Sequence, residues 1–234
     1  MRPLKKGNSP GKFSDYKNYQ EYLIKQLGLY CSYCERKIST MLAVEHIQPK
    51  GLKKYEHLET EWDNLLLACV NCNSAKNDKD VILTNYYLPH RDNTFIAFDY
   101  QDDGTVVPAK NLNSNQFRIA QDTINLVGLN KNAISPHPNW TSDELLFSAT
   151  QRWGQRVSKF NYVKDALSDY IMNSSFLQRL GKESAEDSFF SIWMKVFENH
   201  PEVRKEIINA HKGTATDCFD STTTQPISRP GGQI

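Results

Sequence analysis

The 234-residue sequence has little that would place it in a membrane, in a secreted scaffold or among strongly charged proteins. Its longest apolar stretches, such as Leu65 to Val70, fall far short of the roughly 20 apolar residues that a spanning helix needs. The opening MRPLKKGNSPGKFSDY contains no apolar core of the kind a secretory signal requires. The expectation is a soluble, cytoplasmic protein. With 28 Lys and Arg against 27 Asp and Glu, the net charge of +1 excludes neither acidic nor basic partners. No segment repeats at a period of 20–50 residues, which excludes solenoids and propellers. No RNP, KH or helix-turn-helix signature is present either.

Cysteine is scarce, and its arrangement is informative. Four of the five cysteines form two CxxC pairs, Cys31/Cys34 and Cys69/Cys72, and the fifth is Cys218. Without a secretion signal a disulfide framework is not expected, and a redox motif would need one pair in a thioredoxin-like βαβ setting. Two CxxC turns can instead present four thiolates to one tetrahedral zinc ion and pinch the intervening chain into a compact unit. Cys31, Cys34, Cys69 and Cys72 are therefore the expected structural zinc ligands. Cys218 reads as a small buried hydrophobe.

Hydrophobic periodicity and punctuation divide the chain in three. Residues 1–85 hold a helix from Ser14 to about Gly28, the first knuckle, a strand within Leu42–Ile47, a Lys-rich loop or short helix at 50–60, the buried segment Leu65–Val70 and a polar helix Asn73–Asp80. Residues 86–213 begin with a β-hairpin, Phe95–Asp99 and Thr105–Val107 around Gly104. They continue mainly as helices over about 114–127, 141–172 (Thr141 and Glu144 at capping-box spacing), 183–199 and 202–211. Residues 214–234, rich in Thr, Ser, Pro and Gly, read as a disordered tail. Residues 1–80 carry 13 basic against 10 acidic side chains, with basic knots at Lys5–Lys6 and at Lys50, Lys53 and Lys54.

Between the knuckles stand Glu45, His46 and Pro49, then Asn64; Asn73 and Lys76 follow the second knuckle. Singly, a histidine in a half-apolar stretch is usually structural, and Asn64 and Asn73 suit turns and caps. Together, as CSYC…VEHIQP…DNLLLACVNCNSAK over residues 31–76, the pattern resembles the HNH (ββα-metal) endonuclease family. That resemblance implies an α+β, mostly helical fold, with a zinc-stapled ββα-metal nuclease module followed by an added helical C-terminal domain. It assigns His46 as general base, Asn64 as holder of the loop that aims His46, and Glu45 with Asn73 as ligands of a catalytic Mg²⁺ or Mn²⁺. Many family members have Asp where Glu45 stands and His where Asn73 stands; an all-oxygen pair favours Mg²⁺ over softer metals. Adjacent residues on a regular strand face opposite ways, so Glu45 and His46 can share one cleft only where the strand ends or twists. Lys76 lies one helical turn from Asn73 and can face a phosphate or solvent, and Lys50 is a further substrate-binding candidate. His57, His90, His137, His200 and His211 lie outside the pattern.

The opening MRPLKKGNSPGKFSDY, the VEHIQPK form of the histidine motif and the long helical C-terminal part also resemble a narrower group: the HNH subunit of Septu-type and retron-associated bacterial antiphage systems. This implies a nucleic-acid substrate, DNA or tRNA, and an ABC-type ATPase partner. In retron versions it also implies a reverse transcriptase with its DNA/RNA product. A zinc-stapled, non-catalytic nucleic-acid- or protein-binding adaptor is the alternative from another class.

Overall fold

The computed structural model describes residues 1–133 and 141–234, so His137 lies outside the described residues. The architecture is α+β: a small ββα unit around the four clustered cysteines, with helices packed on it. Strand β1 (Ala43–His46) and strand β2 (Leu65–Ala68) pair antiparallel, with His46 opposite Leu65 and Ala43 opposite Ala68. All four residues of β2 are buried, which is what an uninterrupted apolar strand with both faces covered requires. Helix α2 (Val70–Lys76) follows directly, starts three residues earlier than expected and packs on β1. Its N-cap is Cys69, whose Sγ accepts from Cys72 N at 3.5 Å, so the second CxxC turn is itself the first turn of the helix. Asn77, at φ 45°, ends it.

Ahead of this unit, a 3₁₀ turn at Tyr16–Tyr19 runs into helix α1 (Gln20–Leu27). The cap is Asp15 rather than Ser14, since its carboxylate accepts from Lys17 N at 2.9 Å. Gly28, at φ 80°, closes α1 as expected. Residues 53–58 form a 3₁₀ turn.

The second half departs from its periodicity in three places. The expected first hairpin strand begins instead as a helical turn, α3 (Thr94–Ala97), because the Asn93 side chain caps it by accepting from Phe95 N. The hairpin is then β3 (Phe98–Tyr100) with β4 (Val106–Pro108). Helix α4 (Ser114–Leu126) starts on a capping box of Asn113 and Gln116. The segment read as one helix over 141–172 is two, α5 (Ser142–Thr150) and α6 (Arg152–Met172), broken at the extended residue Gln151. Gly154 permits that tight corner: a Cβ there would sit 2.0 Å from the Ser148 carbonyl oxygen. The expected helix over 183–199 also splits, into α7 (Leu177–Asp187) and α8 (Phe190–Val196), at Ser188 and Phe189 with φ of 77° and 59°. The break seats Ser191 on Glu35, the residue after Cys34: Ser191 N and Oγ donate to the Glu35 carboxylate at 3.0 and 2.6 Å. Pro201 opens rather than precedes the last helix, α9 (Pro201–Ala210).

Residues 214–234, expected to be disordered, are packed into the fold. Cys218 is fully buried, Ile234 is 6% exposed, and one apolar cluster runs from Met1 through the ββα unit and the C-terminal helices to Ile234. Low apolar content misled here because the segment is held by polar contacts. Asn93 Nδ2 donates to the carbonyls of Cys218 and Ile227, each at 2.7 Å; Gln233 N donates to Asp92 Oδ1 at 2.7 Å; Arg229 reaches the carbonyls of Leu4 and Pro89. Replacing Asn93 by Ala removes its bonds to the Cys218 and Ile227 carbonyls and its cap on Phe95 N, and should cost about 1–3 kcal/mol of folding free energy, read by chemical denaturation, with faster proteolysis beyond residue 214. A stability equal to wild type would mean that the segment is held elsewhere.

Candidate active site and metal centre

The antiparallel hairpin and the turn into α2 bring the two knuckles together. The ligand sulfurs of Cys31, Cys34, Cys69 and Cys72 all lie within 4.8 Å of one another, and all four residues are buried. Sulfurs at the corners of a tetrahedron around zinc, at about 2.3 Å from the ion, stand about 3.8 Å apart; Cys34 Sγ and Cys69 Sγ are 3.7 Å apart. Hydrogen bonds from Cys31, Cys34 and Cys72 hold the Cys69 thiol well below its ordinary pKa. Two guanidiniums face the cluster: Arg36 Nη2 donates to Cys69 Sγ at 3.3 Å, and Arg152 Nη1, from the start of α6, donates to Cys72 Sγ at 3.1 Å. Four thiolates around Zn²⁺ leave a charge of about −2, which two arginines offset. The donor set, spacing and counter-charge all fit zinc.

On the other side of β1 a cleft of about 340 Å³ is lined by Tyr16, Glu45, His46, Lys50, Asn73, Lys76 and Asp78, among others. His46 is the last residue of β1, so the strand ends where Glu45 and His46 must diverge, and both line the cleft. The ring nitrogen Nε2 of His46 lies 2.9 Å from the Glu59 carbonyl oxygen, and Tyr16 packs edge-on at 4.6 Å between ring centroids. A carbonyl can only accept, so Nε2 carries the hydrogen and the neutral ring keeps its lone pair on Nδ1. Burial, opposed by the Glu59 carbonyl and the Glu45 charge, holds His46 below its ordinary pKa of 6.5. Asn64 closes the loop between: its Oδ1 accepts from Gln48 N at 2.8 Å, and its Nδ2 donates to the carbonyls of Gln48 and Leu58 at 3.0 and 3.2 Å.

Glu45 is 1% exposed. Its Oε2 accepts from the Tyr33 hydroxyl at 2.7 Å, and Tyr33 sits between Cys31 and Cys34. Burial first, and the Glu45 charge second, keep that hydroxyl protonated. Lys76 Nζ stands 2.7 Å from Oε1, yet off the hydrogen-bonding direction, so Oε1 is a buried oxygen with a charge beside it and no hydrogen bond. Asn73 lines the cleft, its side-chain amide has no hydrogen-bond partner among the described residues, and the cap of α2 is Cys69 instead. Oε1 of Glu45 and the Asn73 amide oxygen thus fit an oxygen-ligated cation.

Two assignments change. Lys76, read as facing phosphate or solvent, is 2% exposed and holds Glu45. Lys6, half of a basic knot, is buried and donates to the carbonyls of Trp62 and Leu65. Lys50 remains at the rim of the cleft, 4.2 Å over the Tyr16 ring and paired with Glu59 at 2.5 Å. Sequence reasoning missed Tyr33, Tyr16, Asp78, Arg36 and Arg152. Tyr33 and Arg36 are signalled by lying within or two residues past a CxxC turn, whereas nothing local marks Arg152, 80 residues from Cys72.

Residues 31–79 match the family model described as HNH endonuclease, the stretch that holds the knuckles, β1, β2 and α2. That part of the chain is an HNH domain. The chain is also 32% identical over 111 residues to a Vibrio cholerae serotype O1 biovar El Tor protein whose name assigns it to retron Vc95 as an HNH endonuclease. The match covers 44% of this chain and 53% of that relative, so the chain spans about half the length of the curated protein it matches.

Lys76→Met should strand the Glu45 charge and lower stability by about 3–5 kcal/mol in chemical denaturation. Unchanged stability would return Lys76 to the role of a mobile phosphate contact.

Proposed function

We propose that the chain is a metal-dependent endonuclease that hydrolyses phosphodiester bonds, with His46 as general base. The observation that carries this reading is the tautomer imposed on His46: its Nε2 is committed to the Glu59 carbonyl, leaving Nδ1 as a lone pair in a cleft shared with Glu45, Asn73 and Lys50. A lowered pKa keeps the ring neutral, and so able to take a proton, near pH 7.

In the reaction, Nδ1 of His46 takes a proton from water as its oxygen attacks phosphorus, and the phosphorus bond to the leaving sugar oxygen breaks. Asn64 holds the 48–64 loop and so aims His46. Glu45 and Asn73 would hold the divalent ion, Mg²⁺ or Mn²⁺. When bound, it offsets charge on the phosphate and the leaving oxygen. Tyr33 and Lys76 fix the Glu45 carboxylate, and Lys50 at the rim is placed to meet a neighbouring phosphate.

The relative named for retron Vc95 supports a role as effector of a bacterial antiphage system, of retron or Septu type. The substrate would be DNA or tRNA, and the partners an ABC-type ATPase and a retron reverse transcriptase with its DNA/RNA product. Apolar side chains left exposed on α5 and α6, Leu146, Phe147, Ile171 and Met172, are consistent with docking such proteins. Among the described residues no helix is long and apolar enough to cross a membrane.

His46→Ala should reduce cleavage by about 10²–10⁴-fold, assayed with the chain alone and with its genomic neighbours, while thermal stability and zinc content stay near wild type. Asn73→Ala should abolish Mg²⁺-dependent cleavage and Asn73→Asp should retain part of it. Cleavage by His46→Ala at the wild-type rate would place the base elsewhere.

A further inference from the structure

A second cleft, of about 470 Å³, opens between β3, α8, α9 and the segment around Gln225, and shares no lining residue with the His46 cleft. On its wall lies Arg204, on α9, 3% exposed. Among the described residues the Arg204 guanidinium makes no hydrogen bond and no ion pair, and its Nε is buried without a partner. Its nearest attachment is the Phe95 ring, 5.6 Å from Cζ. The carboxylate whose field reaches it is the exposed Glu198, which stands outside ion-pair distance. The other wholly buried arginines among the described residues do bond: Arg2 and Arg156 each reach backbone carbonyls, and Arg152 reaches a cysteine sulfur as well, while the half-buried Arg36 and Arg91 each leave one nitrogen unpartnered.

A guanidinium does not shed its proton to escape burial, so an unpaired one asks for an anion. The surroundings are suited to supply the rest of a binding site. Lys195, tied to Asp99 at 2.5 Å, and the exposed Lys110 line the same cleft, which with Arg204 holds three basic side chains against the two acidic ones, Asp99 and Glu198. The half-buried Ile96 and Pro226 offer apolar surface, and Asn111 and Asn199 offer amides at the mouth. A concave, half-apolar space of this size with one convergent charge is what a small organic anion requires.

We propose that this cleft is a ligand site separate from the nuclease cleft, in which Arg204 takes the oxyanion, phosphate or carboxylate, of a small molecule whose apolar body lies against Ile96 and Pro226. Planar N–H donors match either oxyanion in a bidentate grip, and a phosphate gains more from the lysines alongside. The site does not depend on the nuclease reading, because none of its residues belongs to the HNH domain.

Titration calorimetry of the full chain at low salt, with adenosine monophosphate, inorganic phosphate and benzoate as probes, tests the proposal. Saturable binding of at least one probe is expected. It should weaken by about tenfold or more in Arg204→Gln and less in Arg204→Lys, and persist in His46→Ala. Lys110→Glu, an exposed change that leaves folding intact, should weaken the phosphates more than benzoate. Preference for the phosphates or for benzoate identifies the oxyanion. Absence of saturable binding by all three, or binding unaffected in both Arg204→Lys and Lys110→Glu, would overturn the proposal.

Discussion

The contact on which the rest of this structure depends is the convergence of Cys31, Cys34, Cys69 and Cys72 on one point. A two-stranded ribbon and a seven-residue helix are marginal on their own. Joined at the four sulfurs they become a frame in which the distance from the first knuckle to α2 is fixed. Each member of the cleft is placed from that frame. Tyr33 lies inside the first CxxC turn and holds Glu45; Asn73 follows the second by one residue; Lys76 projects from the same helix to the other Glu45 oxygen. Four thiolates need counter-charge, and Arg152 supplies part of it from α6, so the helical half is tied to the metal centre electrostatically as well as by packing.

The cleft beside β1 and α2 restricts protons rather than bringing many charges together. His46 is confined to one tautomer by a backbone carbonyl, Tyr33 is kept as a donor by burial, and Glu45 is held between that donor and the Lys76 ammonium. That carboxylate has one oxygen committed to the Tyr33 hydroxyl and the other beside the Lys76 ammonium without a hydrogen bond.

What could be read from the sequence was whatever local chemistry determines. Two CxxC turns imply one tetrahedral centre; the apolar run between them reads as a buried segment; Gly28 at a helix end and Thr141 at capping-box spacing mark boundaries directly. Asn64 as holder of a loop was implied by the family resemblance alone, and its three hydrogen bonds to Gln48 and Leu58 span the 48–64 loop. What stayed hidden depends on partners far along the chain. Lys76 looks like a surface lysine until Glu45 is placed opposite it. The breaks at Gln151 and at Ser188–Phe189 arise from close packing on Gly154 and from Glu35, neither of which periodicity can register. The segment 214–234 is poor in apolar residues and is nonetheless fixed, because buried Asn93 and Asp92 supply it with hydrogen bonds and its few apolar side chains reach the core.

The central claim is that a single tetrathiolate zinc ion holds this frame together. X-ray absorption at the zinc edge on the purified full-length chain tests it most directly. The account predicts stoichiometric zinc with four sulfur neighbours at about 2.3 Å and no nitrogen or oxygen in the first coordination sphere. A folded protein with no zinc, or zinc bound through nitrogen and oxygen, would contradict it.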